Sequence, residues 1–212
     1  MASLNNPFDN LTKNQISKLH ELLGVHIYRY KKGQEILSTI KNENIVGIIN
    51  SGYIQIIRTE YNGNEIILEE LSENGVFTTF ISRTNSSHCQ ILAKEDVEVL
   101  VIDYNRLIDP KNLKYGYFNI FLRNLFEIIN DKFKETSQRV QILEKKQIRD
   151  KLLEYFNIER RKTGSRYIYV PFSFKDLADY LAVNRSAMFR ELKSLKEERF
   201  IEIKDKRITL LI

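Results

Sequence analysis

The sequence predicts an α+β chain in three consecutive segments: an antiparallel all-β unit, one long helix, and a small helical unit closed by strands. Three observations carry this. Short β-branched and aromatic runs separated by turn residues fill residues 25–108; a proline-free apolar stripe at three- and four-residue steps fills 113–143; and short amphipathic segments followed by an alternating strand pair fill the remainder. With 212 residues, 42% of them apolar, the chain can bury a core in one or two domains.

Ahead of the β unit, Thr12 can cap a short helix carrying Ile16, Leu19, Leu22 and Leu23. The predicted strands are 25–30, 45–50, 53–59, 65–71 and 97–102. Their separators are Lys32-Gly33, Ser51-Gly52, Asn62-Gly63-Asn64 and Asn74-Gly75, where glycine or asparagine accepts positive φ at low cost. Five or more strands at this spacing imply a small barrel or sandwich. Pro110 closes the region. In the helix that follows, Phe118, Leu122, Leu125, Phe126, Ile129, Phe133, Val140 and Leu143 form the apolar stripe, with Arg123, Asp131, Lys134, Glu135 and Gln138 between them. A helix of about 30 residues extends about 45 Å, so part of the stripe overhangs any one small domain; self-association through this helix is the expectation.

From Gln147 the order is helix (148–161), polar turn (162–166), strand (167–170), two short helices and a strand pair, which is the order of a winged helix. Ser173 with Asp176 three residues later makes a capping-box-like start, and Leu177, Ala178 and Leu181 supply an apolar face. Ala182 and Val183 form the turn, Asn184 caps the next helix, and residues 185–197 continue it. At about 100° per residue, Met188, Leu192 and Leu195 fall within about 60° of one another. Arg185, Phe189, Lys193, Ser186 and Arg190 occupy a separate arc of about 140°. Three cations and a hydroxyl thus share one face. A major groove admits one helix and offers guanine N7 and O6 to a bidentate arginine, while lysines hold phosphates. Arg185 and Arg190 are the base-reading candidates, Ser186 and Phe189 secondary ones, Lys175 and Lys193 phosphate candidates, and Ser173 an adjoining one. The strand pair 200–203 and 207–211 encloses Lys204-Asp205-Lys206, a basic tip that places Lys206 where it can meet a backbone beside the groove.

Charge follows the same division. The chain has 33 basic and 28 acidic residues, +5 overall, and the surplus sits at the C-terminal end: −3 over residues 1–112, +2 over 113–143 and +6 over 144–212. A single cysteine, Cys89, excludes a disulfide framework, a multi-thiolate zinc site and an iron–sulfur cluster held by four cysteines of this chain. It fits a reducing cytoplasm. No apolar run approaches the ~20 residues of a bilayer span, and the first residues lack a secretory signal, so no membrane partner is expected. His20, His26 and His88 show no metal-site spacing, which counts against a small metal-barrel enzyme.

With these residues in view, the whole chain resembles the Crp/Fnr family of bacterial transcription regulators. The stretch LADYLAVNRSAMFRELKSLKEERFIEI (177–203) looks like the family's helix-turn-helix running into its wing, and INSGYIQI (49–56) resembles its strand–turn–strand. The resemblance implies an N-terminal antiparallel β-roll of double-stranded β-helix type as effector domain (1–112), a dimerisation helix (113–143) and a C-terminal winged helix-turn-helix (144–212). It also implies a homodimer on a palindromic double-stranded DNA site, with RNA polymerase as a further partner, although no transferable motif marks that surface or separates activator from repressor. The alternative is a ligand- or protein-binding regulatory module without DNA binding.

Two departures from the family pattern stand out. The best-known operator readers carry arginine then glutamate where this chain has Arg185 and Ser186, so the operator core need not be the familiar one. Cyclic-AMP-binding members carry Phe-Gly-Glu and then Arg-Ser or Arg-Thr. Here Thr78 and Thr79 stand at the Gly-Glu positions, and Ser87 and His88 at the Arg-Ser positions, with Arg83 a few residues away. Neither charged contact is present, so control by cAMP is not expected. Haem would need an axial ligand from His20, His26, His88 or Cys89 and is not expected either; the His88-Cys89 pair, read as lying in a polar loop, makes either a reactive thiol or a buried inert one. The small-molecule effector stays unassigned.

Overall fold

A computed structural model describes residues 6–36, 44–59, 61, 65–78, 89–170, 174–204 and 207–211. The chain divides into two compact units, residues 2–130 and 131–212, each with its own core.

In the first unit, α1 (Lys13–Leu23) begins with a capping box. The Gln15 amide donates to the Thr12 hydroxyl while the Gln15 side chain accepts from the Thr12 amide, and Gly24 ends the helix in the left-handed conformation. Among the described residues seven strands follow: β1 (His26–Tyr30), β2 (Ile45–Ser51), β3 (Ile54–Thr59), β4 (Glu65–Leu71), β5 (Val76–Thr78), β6 (Cys89–Ala93) and β7 (Val97–Asp103). They form two antiparallel sheets, one ordered β1-β7-β2-β5 and the other β4-β3-β6. Ile36, Ile49, Ile54, Ile56, Phe77, Ile91, Val99 and Val101 are buried in the core they share. The expected all-β unit is present, with two short strands, β5 and β6, beyond the five named from the sequence. The turn at 51–52 places Gly52 at φ +92°, and Asn74 sits at φ +67°, as turn chemistry required.

A short helix, α2 (Tyr104–Leu107), and a 3₁₀ turn (Pro110–Lys114) lead into α3 (Gly116–Leu143). The stripe expected along α3 is in fact two. Phe118, Phe121, Leu125 and Ile128 are buried, the first three packing with α1, β2 and β7 in a cluster that includes Leu19, Leu23, Ile48 and Ile102. Phe126, Ile129, Phe133 and Val140 lie on the adjacent face and stay exposed, Phe126 and Phe133 at 64% and 70%. Phe121 and Ile128 do not fall on the stripe read from the sequence, because two apolar faces side by side blur a single periodicity.

The second unit contains α4 (Ile148–Thr163), β8 (Tyr167–Tyr169), α5 (Phe174–Tyr180), α6 (Arg185–Glu197), β9 (Ile201–Lys204) and β10 (Arg207–Leu210). Helix α4 runs two residues past its expected end, to a left-handed Gly164. The strands form one antiparallel sheet, ordered β8-β10-β9, so the expected strand pair gains β8 as a third member. Leu152, Phe156, Leu177, Leu181, Met188, Leu192, Leu195, Ile201 and Ile208 make its core. Among the described residues no helix is long and apolar enough to cross a membrane.

Candidate nucleic-acid interface

Helix α6 owes its start to Asn184, whose side-chain oxygen accepts from the Ala187 amide at 3.1 Å. The turn before it is closed by Ala182 at φ +50°, with the Val183 amide bonded to the Ala178 carbonyl. A left-handed residue at a helix C-terminus with this bond is a Schellman closure, and here an alanine occupies it where glycine is usual. It fixes the angle at which the chain re-enters helix. Met188, Leu192 and Leu195 anchor α6 in the core, as the wheel required, and Arg185, Ser186, Phe189, Arg190 and Lys193 are all exposed.

Within that exposed face the cations are not equivalent. Lys193 sits 3.7 Å from Glu197, one turn on, so its charge is partly offset. The Arg185 guanidinium stands 5.7 Å from the centroid of the Phe189 ring, which itself packs at 5.7 Å against Phe174 of α5. Phe189 thus covers the helix surface and at the same time supports Arg185, a planar cation over an aromatic face. Among the described residues neither Arg185 nor Arg190 has a carboxylate partner. Two guanidiniums about a turn and a half apart on one rigid helix can reach acceptors on base edges.

A residue that sequence reasoning missed ties α6 to α4. Arg149 on α4 donates to Glu198 at 2.8 Å and to Glu191 at 3.3 Å, and its guanidinium lies 4.9 Å from the Phe200 ring centroid. Arg149, with help from the Ser194 hydroxyl, holds the Glu198 carboxyl down at about 2. No spacing in the sequence marks this link, because Arg149 lies 42 and 49 positions from its two partners.

Other expected site residues are placed less fully. Lys175 lies in α5 with only its backbone described, and Ser173 and Lys206 lie outside the described residues. For the effector, Thr78 ends β5, half-buried and paired with Val46 across β2, whereas Thr79, Arg83, Ser87 and His88 lie outside the described residues. Cys89 is not in a polar loop: it begins β6, paired with Arg58 of β3 and half-buried, because the residues after it continue an alternating strand. His20 on α1 meets the Phe8 ring edge-on at 5.7 Å; burial pushes its pKa down, and among the described residues its Nε2 has no hydrogen-bond partner. His26 begins β1 on the surface. Among the described residues no three of His, Cys, Asp and Glu gather into a metal site.

Comparison with known proteins joins the two halves. A cyclic nucleotide-binding domain family matches residues 27–109, and a Crp-like helix-turn-helix domain family matches 147–211, together well over half of the chain. No curated protein sequence matches it significantly. Among solved structures, CprK complexed with OCPA is similar at 18% identity and TM-score 0.63, covering 91% of this chain and 88% of that one. A CooA mutant from Carboxydothermus hydrogenoformans is similar at 19% identity and TM-score 0.55 over 90% and 85%. The Thermus thermophilus catabolite activator protein follows at 17% identity and 0.50 over 96% and 92%. At these identities the likeness is one of fold.

Proposed function

Since the chain belongs to the Crp/Fnr family of transcription regulators and is not an enzyme, we propose that it is a cytoplasmic homodimer that reads a palindromic duplex through α6. Residues 1–112 form the effector domain, 113–143 the dimerisation helix and 144–212 the DNA-binding domain. Arg185 and Arg190 contact base edges and Ser186 donates or accepts beside them. Phe189 buttresses Arg185 and meets a thymine methyl, and Lys193, Lys175, Ser173 and Lys206 lie along the phosphates. The exposed apolar face of α3 supports the dimer, whose two α6 helices then meet half-sites about 34 Å apart. RNA polymerase is the further protein partner. The effector is not cAMP: Thr79 stands where cAMP-binding members carry glutamate, and Ser87 where they carry arginine, so neither charged contact to the nucleotide is present in the sequence.

The observation that carries this reading is the exposure of Arg185 and Arg190 on α6 while Met188, Leu192 and Leu195 of the same helix are buried. An electrophoretic shift against genomic fragments tests it. The protein should retard a subset of fragments, binding should fall steeply with salt, added cAMP should change nothing, and Arg185→Ala with Arg190→Ala should weaken specific retention at least ~tenfold, since each bidentate arginine contributes about 1–3 kcal/mol. No shift at low salt, or full retention by the double variant, overturns it in favour of a regulatory module that does not bind DNA.

A further inference from the structure

The three-stranded sheet of the second unit has two unlike faces. Its inner face, built from Ile168, Ile201, Ile203, Ile208 and Leu210, packs into the core that also holds α6. Its outer face therefore looks away from that core. Strand register assigns the outer residues without ambiguity, because Arg207 pairs with Lys204 on one side and Tyr169 on the other, and Thr209 pairs with Glu202 and Tyr167. Two rows result, Lys204–Arg207–Tyr169 and Glu202–Thr209–Tyr167, since residues two apart along a strand share a face.

Both tyrosines are open to solvent, Tyr167 at 54% and Tyr169 at 65%, while Ile168 between them is buried. Their attachment points are about 7 Å apart along the strand. The Arg166 guanidinium lies 5.5 Å from the Tyr167 ring centroid, and among the described residues Lys204 and Arg207 have no ion-pair partner. Two exposed rings on one sheet face, flanked by cations without an ion-pair partner among the described residues, match what an unpaired base and its phosphate need: a π-surface and a nearby positive charge. A duplex keeps its bases stacked inside and has no use for the rings. Among the described residues Glu202 is the acid on this face, and beside it Thr209 offers a hydroxyl; a carboxylate there would repel phosphate, but it accepts a hydrogen bond from a ribose 2′-hydroxyl, which only RNA carries.

We propose that the outer face of the β8-β10-β9 sheet binds single-stranded RNA, with Tyr167 and Tyr169 stacking two successive bases, Arg166, Lys204 and Arg207 holding phosphates, and Glu202 with Thr209 taking a 2′-hydroxyl. This site is separate from the duplex-reading face of α6.

Fluorescence anisotropy with the full chain tests it, using a labelled 15-nucleotide RNA of mixed sequence, the DNA strand of the same sequence, and the corresponding duplex. The RNA should bind at low salt and more tightly than the single DNA strand. Tyr167→Ala with Tyr169→Ala should weaken RNA binding about tenfold or more and leave retardation of genomic duplex fragments unchanged, which also shows that the unit has folded. Tyr167→Phe with Tyr169→Phe keeps the rings and should keep the binding. Glu202→Gln should shrink the preference for RNA over DNA. Absence of RNA binding, a single DNA strand bound as tightly as RNA, or an alanine double variant that binds RNA normally overturns the proposal. Loss of duplex retention in Arg185→Ala with Arg190→Ala leaves it untouched, so the two readings fail independently.

Discussion

Gly47 shows how a single missing side chain shapes the β unit. It lies opposite Phe77 in the β2–β5 pairing, and a Cβ placed there would fall inside the Phe77 ring, which is itself buried at the centre of the core. The ring occupies the space that any other residue at position 47 would claim. Gly47→Ala should therefore cost about 1–3 kcal/mol through overpacking, lowering Tm by several degrees in a calorimetric melt; an unchanged Tm would mean that β5 shifts freely. The effect reaches the neighbouring residue, since Thr78 follows Phe77 directly in β5. A different economy governs Phe189. The sequence placed it among the base-reading candidates on the exposed arc of α6, and its packing against Phe174 and beside Arg185 shows that it also covers the helix surface.

Between elements, a polar link runs from α4 to α6 through Arg149, Glu191 and Glu198. The ordinary carboxyl value for Glu198 is 4.5 and the folded value is about 2, so the folded state holds its negative charge more tightly than the unfolded chain does. The link's stabilisation is complete above about pH 4.5 and is lost as pH falls towards 2. Thermal melts between pH 6 and 2 should show the wild type losing stability more steeply below pH 4.5 than Arg149→Met, whose Glu198 has no cation to lose; parallel curves would show that the link contributes nothing. No periodicity announces such a link, because it joins residues about 50 positions apart. What was legible at this scale was legible for a physical reason. Helix α1 had its Thr12 cap, α6 had its Asn184 cap and buried stripe, and the longer strands had β-branched runs bounded by turns. Strand β5, three residues long, is too short for alternation to register, and the pairing of β8 with β10 depends on a return across two helices. In α3 the stripe read from the sequence mixed residues of both faces and left out the buried Phe121 and Ile128, since the two faces are adjacent and only the partner that buries one of them separates it from the other.

At the scale of the whole molecule, that second face of α3 is the outstanding apolar surface. Phe126, Ile129, Phe133 and Val140 span about four turns, are exposed, and fall within about 60° of one another around the helix axis. Solvated aromatic side chains in such a row are costly to leave uncovered, and a second copy of the same helix is self-complementary to them about a two-fold axis, with knobs entering holes as in a coiled coil. Dimerisation would also raise apparent DNA affinity without any new contact to DNA, because once one α6 is seated the other is held near its own half-site at high effective concentration. Phe126→Glu with Phe133→Glu separates these effects. Neither side chain is part of a buried cluster, so the fold should survive, and sedimentation should report a monomer at concentrations where the wild type is dimeric. Retention of a palindromic fragment should then fall by roughly a hundredfold or more, towards the affinity of one half-site, while binding to a single isolated half-site should change little. If the variant still sediments as a dimer, the association surface lies elsewhere; if it is monomeric yet holds the palindrome as tightly as before, pairing of subunits is not what places the second α6 on DNA.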